Sequence, residues 1–530
     1  MPILAAIDIG SNSCRLKIAR IVAHRLKPLH EDREVTRLGA SVFDTGLVSP
    51  DAMALTLKAL KRFQKAVQEH GVDQIRVVAT SAMRDARNAQ AFVTWAKVET
   101  GWNIEIISGL EEARLIHRGV MAQEPGASGL VLLLDLGGGS CEITLSEDKR
   151  IRETVSLPLG AVRLTQEFIP TDPATEDGLA RMNKFIAREL RRAQRRIQPE
   201  AVPLVIATSG TAAALAEAHT KLAKPETKPE GKSQTKKSAK RTQPSSDPPA
   251  EFGITTTRQT RQLATLLHGM SMAERSAVPG IGPKRAEIIV AGAYVYAELL
   301  ESFALPGFRY SPLGLRDGIL AQMLAEQDDH ATEHQQFERD RWESVLSTAR
   351  RYNVNLRQLE PVRAHAEQLF RDLAPLHALP PEYKTWLASA AMLAETGKFI
   401  NHQGHHRHAQ YIISSSELYG FTARQRTIVS AIARYLGKSR PQPADRAMRN
   451  IPAQEHPNVL KAVVLLRLAL ALNQDRASDV LKVSARVYPK RILMEVEPGP
   501  TGAELELWSL RKEAAYFREV FGRELFVTLV

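Results

Sequence analysis

Cysteine is nearly absent from this sequence. Its 530 residues include two, Cys14 and Cys141. The two stand at equivalent strand positions, which suggests small buried side chains, not a disulfide framework or a metal pair. Long hydrophobic runs are missing as well. None approaches the roughly 18 apolar residues that span a bilayer. The opening MPILAAIDIG carries no basic segment ahead of its apolar residues, so it reads as no secretory signal. These absences lead us to expect a cytoplasmic chain with no membrane partner. Acidic charge is in deficit: 59 Asp and Glu face 71 Lys and Arg, giving a net charge of +12 and a pI of about 9.6. That excess favours an anionic partner, whether polyphosphate, nucleotide or nucleic acid. The remaining composition, 44% hydrophobic and 25% charged, is ordinary for a globular chain. The length suits roughly two to four domains.

What the sequence does contain is a repeated loop. Residues 132–145, LLLDLGGGSCEITL, read as an apolar strand, an acid, a glycine-rich turn and an alternating strand. Glycines leave backbone N–H groups free to face an anion, and the carboxylate of Asp135 can hold the cation that phosphate carries. Residues 5–16, AAIDIGSNSCRL, repeat the pattern: Asp8, Gly10, Ser13 and Cys14 align with Asp135, Gly137, Ser140 and Cys141. The phosphate candidates are therefore Ser11, Asn12 and Ser13 in one loop and Gly137, Gly138, Gly139 and Ser140 in the other. An internal repeat with a phosphate loop in each copy implies two similar α/β halves facing across a cleft.

Further strand-to-helix turns follow in order. Helical spacing over 51–70 precedes a strand at 75–79 that runs into Thr80-Ser81-Ala82-Met83-Arg84-Asp85, a plausible phosphate grip with Arg84 as its fork. A short strand at 104–107 leads to Ser108-Gly109-Leu110-Glu111-Glu112, where acids open a helix. The helix dipole alone favours acids there. A long amphipathic helix is expected over about 178–196, and a strand at 204–207 ends in Ser209-Gly210-Thr211, again apt for phosphate. Residues 221–250 are basic, of low complexity and without apolar periodicity. They read as a disordered insertion.

Taken in order, DIGSNSCRL, TSAMRDA, SGLEEARL, DLGGGSCEI, SLPLGAVRLT, TSGTAAALA and SPLGLRDGIL closely resemble the exopolyphosphatase/guanosine pentaphosphate phosphatase (Ppx/GppA) family. The resemblance covers about residues 3–325 and is nearest the long, exopolyphosphatase form. It implies an α/β, duplicated actin-like module that removes terminal phosphates with Mg²⁺. Mn²⁺ is a substitute and K⁺ a further candidate. By this resemblance Glu112 activates the attacking water. Asp135 orients metal and water, with Asp8 as its counterpart, so Asp8, Asp135 and Glu112 are the metal candidates. Arg84, Ser13, Gly138, Gly139, Ser140, Ser209, Gly210 and Thr211 match phosphate-contacting positions. A homodimer is expected on the same ground.

The expected domains are half I over 1–124, half II over 125–325, an all-α HD-like domain over 326–479 and a small α/β appendix over 480–530. A metal-dependent HD site wants His-Asp where this chain has Ala394-Glu395, so a second hydrolase site is not expected. The cluster His402, His405, His406 and His408 reads as hydrogen-bonded histidines or as metal ligands. Arg424, Arg426, Arg434, Lys438 and Arg440 either flank a polyanion groove or form a solvated face. Residues 278–289, VPGIGPKRAEII, imitate a DNA-binding helix-hairpin-helix, but the resemblance places them inside the phosphatase module, and nucleic acid is not the expected partner. Three readings remain: a phosphatase of inorganic polyphosphate first, one of pppGpp second, and a non-catalytic nucleic-acid- or polyanion-binding protein third.

Overall fold

Apolar residues alternate along the first strand. Leu4 and Ala6 belong to one buried cluster, while Ala5, Ile7 and Ile9 belong to another. That two-sided burial makes it a central strand in a covered sheet. The computed structural model describes residues 2–124, 127, 129–198, 202–222, 253–328, 330, 334–437, 439–474, 480–499 and 502–530. The insertion expected at 221–250 lies outside them from residue 223 onward, as does Lys438. Two compact units divide between His334 and Gln335.

The first unit holds two sheets of matching design. Strands β1 (Ile3–Ile9), β2 (Ser13–Val22), β3 (Arg25–Val35), β4 (Gln74–Ala79) and β5 (Ile104–Ile106) are ordered β3-β2-β1-β4-β5. Strands β6 (Leu130–Leu136), β7 (Cys141–Glu147), β8 (Arg150–Leu157), β9 (Leu204–Thr208), β10 (Thr255–Thr256) and β11 (Gly307–Tyr310) are ordered β10-β11-β9-β6-β7-β8. In each sheet the loop-flanking strands pair antiparallel, and the first strand also pairs in parallel with the later crossover strand. The repeat read from the loops is therefore a repeat of whole sheets, with β10 as an added edge.

Between the sheets lie helices Gly109–Met121 and Leu315–Gln327. Their cluster joins Leu4, Ala6 and Val78 of the first sheet to Val131, Leu133 and Ile206 of the second. The helices meet backbone to backbone. A Cβ on Gly318 would stand 1.7 Å from the Leu115 carbonyl oxygen, and one on Gly119 would stand 2.5 Å from that of Gly314. Outer helices cover the remaining faces: Pro50–Glu69 on the first sheet, Glu176–Gln194 and Ile289–Ser302 on the second. Cys14 and Cys141 are both buried and free. Residues 280–288 form a run of turns before the helix at Ile289, so the VPGIGPKR segment is not a pair of helices about a short hairpin.

The second unit is mainly helical, with helices including Leu356–Asp372, Tyr383–Leu393, Ala423–Arg434 and His456–Ala471 around one core. Strands β12 (Val483–Val487), β13 (Arg491–Val496) and β14 (Glu524–Leu529), with helix Glu504–Phe521, add Ile492, Met494, Phe517 and Leu525 to that same core. Among the described residues no helix is long and apolar enough to cross a membrane.

Candidate active site

The two loops close with the same hydrogen bond. The Gly10 N–H donates to the Ser13 carbonyl at 3.1 Å, and the Gly137 N–H to that of Ser140 at 3.0 Å. The outward carbonyls of each loop are taken up by the start of a following helix. Gly39 N–H donates to Ser11 O at 2.7 Å, and Val162 N–H to Gly138 O at 2.8 Å. The loops also touch: a Cβ on Gly139 would stand 2.8 Å from Ser11 Oγ and 2.5 Å from Ser81 Oγ. Glycine is required there by close approach, not by backbone angle. Ser11 Oγ in turn accepts the Ala82 N–H at 3.2 Å, tying the first loop to the Thr80-Ser81 turn.

Asp8 and Asp135 sit one residue before the ends of their strands, and both project into a cleft of about 650 Å³ between the sheets. Each has a buried Oδ1 without a hydrogen-bond partner. Burial raises the pKa of both, Asp135 to about 6, while the Arg15 guanidinium opposes the rise. An orphaned carboxylate oxygen is costly unless a cation or proton meets it. Among the described residues no three His, Cys, Asp or Glu side chains form a metal cage. Two carboxylates still suit an ion such as Mg²⁺, which keeps waters and takes phosphate oxygens as its other ligands.

Glu112 reaches the same cleft from the first turn of helix Gly109–Met121. The Ser108 hydroxyl caps that helix by accepting the Glu111 N–H at 3.1 Å. Arg84 Nη1 donates to Glu112 Oε2 at 2.8 Å and to the Ile107 carbonyl at 2.9 Å. Burial pushes Glu112 up to about 7 against the pull of Arg84, and Asp8 and Asp135 push the same way. Beside it, Glu142 accepts the Ser156 hydroxyl at 2.7 Å. Its carboxyl is raised well above the usual range by burial and then by Glu112.

Another stretch of the wall carries Arg15, Arg33, Arg285 and Arg316, with the acids Glu31, Asp32 and Asp317 among them. Arg316 is paired with Glu31 at 3.3 Å. Arg33 Nε and Nη2 are buried without partners. Burial lowers the pKa of Arg33 to about 10 and that of Arg285 to about 9, with neighbouring arginines adding to the fall. Arg285 lies so close over Gly210 that a Cβ there would meet its Nη2 at 1.6 Å. Arg163 crosses between the halves. Its Nε donates to the Gly139 carbonyl at 2.8 Å, its Nη2 to Ser81 Oγ at 3.3 Å and to the Asp85 carboxylate, and its guanidinium carbon lies 4.1 Å from the Phe43 ring centroid.

The profile of the Ppx/GppA phosphatase family matches residues 17–327, and that of domain III of Ppx/GppA phosphatases matches residues 340–513. The chain belongs to the Ppx/GppA phosphatase family. Solved structures agree. A Ppx/GppA family member from Aquifex aeolicus is 30% identical, with TM-score 0.50, covering 62% of this chain and 99% of its own. An exopolyphosphatase from Cytophaga hutchinsonii is 26% identical, with TM-score 0.53, covering 61% of this chain and 98% of its own.

In this Ppx/GppA phosphatase the cleft brings together Asp8, Ser11, Asn12, Ser13, Glu112, Asp135, Gly137, Gly138, Gly139, Ser140, Ser209 and Gly210. Two of the sequence candidates are not among its lining residues. Arg84 is held by Glu112 and Ile107, and its Nη2 donates to Ser140 Oγ of the second loop at 3.4 Å. Thr211 is buried, its methyl facing Gly292. The sequence reading missed Glu142, Arg163 and the four wall arginines. Arg15, Glu142, Arg163 and Arg316 lay inside the quoted motifs, and Arg285 inside the apparent hairpin. Arg33 has no local signal. In the second unit, Glu395 pairs with Lys398 at 2.5 Å, and His405 Nδ1 bonds the His402 carbonyl at 3.1 Å. Arg424 and Arg440 pair with Glu455 and Glu519.

Proposed function

We propose that this phosphatase hydrolyses terminal phosphates from inorganic polyphosphate and releases orthophosphate. The carrying observation is the arginine-bearing wall. Of the four arginines that line the cleft with the two phosphate loops, Arg15, Arg33 and Arg285 make no ion pair among the described residues, which leaves more free donors than a single phosphoryl group can occupy. The exopolyphosphatase from Cytophaga hutchinsonii supports the same substrate class. We read the matched sheets as the actin-like duplicated module and the helical unit as HD-like. The protein would act in the cytoplasm as a homodimer.

In this reading Asp8 and Asp135 hold Mg²⁺, with Mn²⁺ as a substitute and K⁺ as a further candidate. When bound, the metal offsets the negative charge of the phosphate oxygens. The loop N–H groups and Ser13 and Ser140 grip the terminal phosphoryl oxygens. Glu112 accepts a proton as the water oxygen bonds to phosphorus. The P–O–P bridge breaks, and the leaving phosphate keeps its electron pair. A carboxyl poised near neutrality suits that transfer. Arg84 fixes the carboxylate on one side, so its free oxygen faces the cleft.

The alternative substrate is pppGpp. Phosphate release with Mg²⁺, offered polyphosphate and pppGpp in parallel at two salt concentrations, decides between them. Fast, salt-sensitive release from polyphosphate supports the proposal. A preference for pppGpp replaces it with a nucleotide phosphatase, and release from neither overturns both.

A further inference from the structure

Helix Glu176–Gln194 buries Leu179, Met182, Ile186, Leu190 and Ala193 against the second sheet. On the opposite face stand Arg181, Lys184, Arg188, Arg191 and Arg195, all exposed. Their spacing of three, four, three and four residues is that of a single straight row. At 1.5 Å rise per residue the row is about 21 Å long, with a cation roughly every 5 Å. Acidic partners are few. Arg181 bonds Asp177 at 3.1 Å, and buried Glu189 takes Arg188 at 3.0 Å and Arg192 at 2.8 Å. Among the described residues no ion pair engages Lys184, Arg191 or Arg195. The helix dipole favours cations in the last turn but not Lys184 or Arg188 in the middle.

We propose that this row is a second polyanion site, outside the catalytic cleft, that holds a distal stretch of an inorganic polyphosphate chain. The proposal rests on the polyphosphate reading of the cleft. A straight row of point charges matches a single file of phosphates. Single-stranded nucleic acid calls for exposed aromatic rings on which bases stack. No aromatic ring is exposed on this helix, and the Phe185 ring lies under Arg188 at 4.7 Å.

The test compares the full-length protein with the triple variant Lys184→Gln, Arg191→Gln, Arg195→Gln, and with a charge-keeping variant Lys184→Arg, Arg191→Lys, Arg195→Lys. Binding of fluorescently labelled long-chain polyphosphate is titrated in EDTA over a range of salt, so no hydrolysis is needed. The triple glutamine variant is expected to bind long chains more weakly. Its slope of log affinity against log salt should be shallower by about two, because three charge contacts are lost. The charge-keeping variant should restore both. Hydrolysis of tripolyphosphate, too short to span cleft and row, should be unchanged. Equal long-chain affinity and slope in wild type and glutamine variant overturn the site. A loss confined to duplex DNA also overturns it, in favour of a nucleic-acid surface. If wild type releases no phosphate from polyphosphate, the cleft reading fails by itself, and the binding comparison still decides the row.

Discussion

At the residue scale the site is a contest between burial and charge. Glu112 carries the proposed proton transfer, so Glu112→Gln should lower turnover by about 10²–10⁴-fold while substrate binding, measured separately, is retained. Undiminished turnover would remove Glu112 from the mechanism. A different buried group contributes to acid stability. His117 bonds Ser146 Oγ at 2.8 Å, and burial lowers its pKa from 6.5 to about 4, with Arg118 adding to the fall. Between those values the unfolded chain binds the proton and the folded chain does not. The His117 contribution is therefore complete above pH 6.5 and declines toward pH 4, by about 3 kcal/mol. Urea titrations of wild type and His117→Gln at pH 7 and pH 4 check this, because their difference should shrink at the lower pH. Asp8 and Asp135 were legible because each stands at the end of a strand just before a glycine-bearing loop, a local pattern that occurs twice; Glu112, in the first turn of a helix, was given its role only through the family resemblance. Arg33 was not legible, since only the pairing of β3 beside β2 carries it to the cleft. Arg285 was hidden by glycine and proline punctuation that imitates another motif.

At the element scale, two contacts hold the halves in register. The first is the crossing of Gly109–Met121 with Leu315–Gln327. Gly318→Ala places a methyl on the Leu115 carbonyl, a backbone atom that cannot swing aside. We expect a loss of about 3 kcal/mol or more in denaturant unfolding. The second is Arg163, whose side chain reaches the Gly139 carbonyl and Ser81 at once. Arg163→Ala should cut turnover by about 10²-fold, since loss of alignment at reacting atoms is costly. It should lower thermal stability much less than Gly318→Ala. Equal losses of activity and stability would make Arg163 merely structural. Most strands were legible because alternation and glycine-rich ends mark them. Helix Leu356–Asp372 shows where this fails. Proline ordinarily ends or starts a helix, yet Pro361 lies inside this one, five residues after its start at Leu356. Burial of Leu359 and Val362 in one cluster outweighs the missing backbone bond.

At the scale of the whole molecule, the second unit has its own core, with every buried cluster residue lying between Val345 and Leu525. A fragment of residues 335–530 should therefore fold cooperatively alone, with a single far-ultraviolet melting transition; a non-cooperative melt would show that it needs the first unit. In the first unit the duplication is close but not complete. Asp8 lies opposite Arg15 across its strand pair, whereas Asp135 at the matching register lies opposite Glu142. Two identical half-length chains would place the same residue at both registers, either two arginines or two glutamates. The two halves are therefore no longer interchangeable: one sets a cation beside its loop carboxylate and the other sets a second carboxyl there, so a site shared between them needs one copy of each.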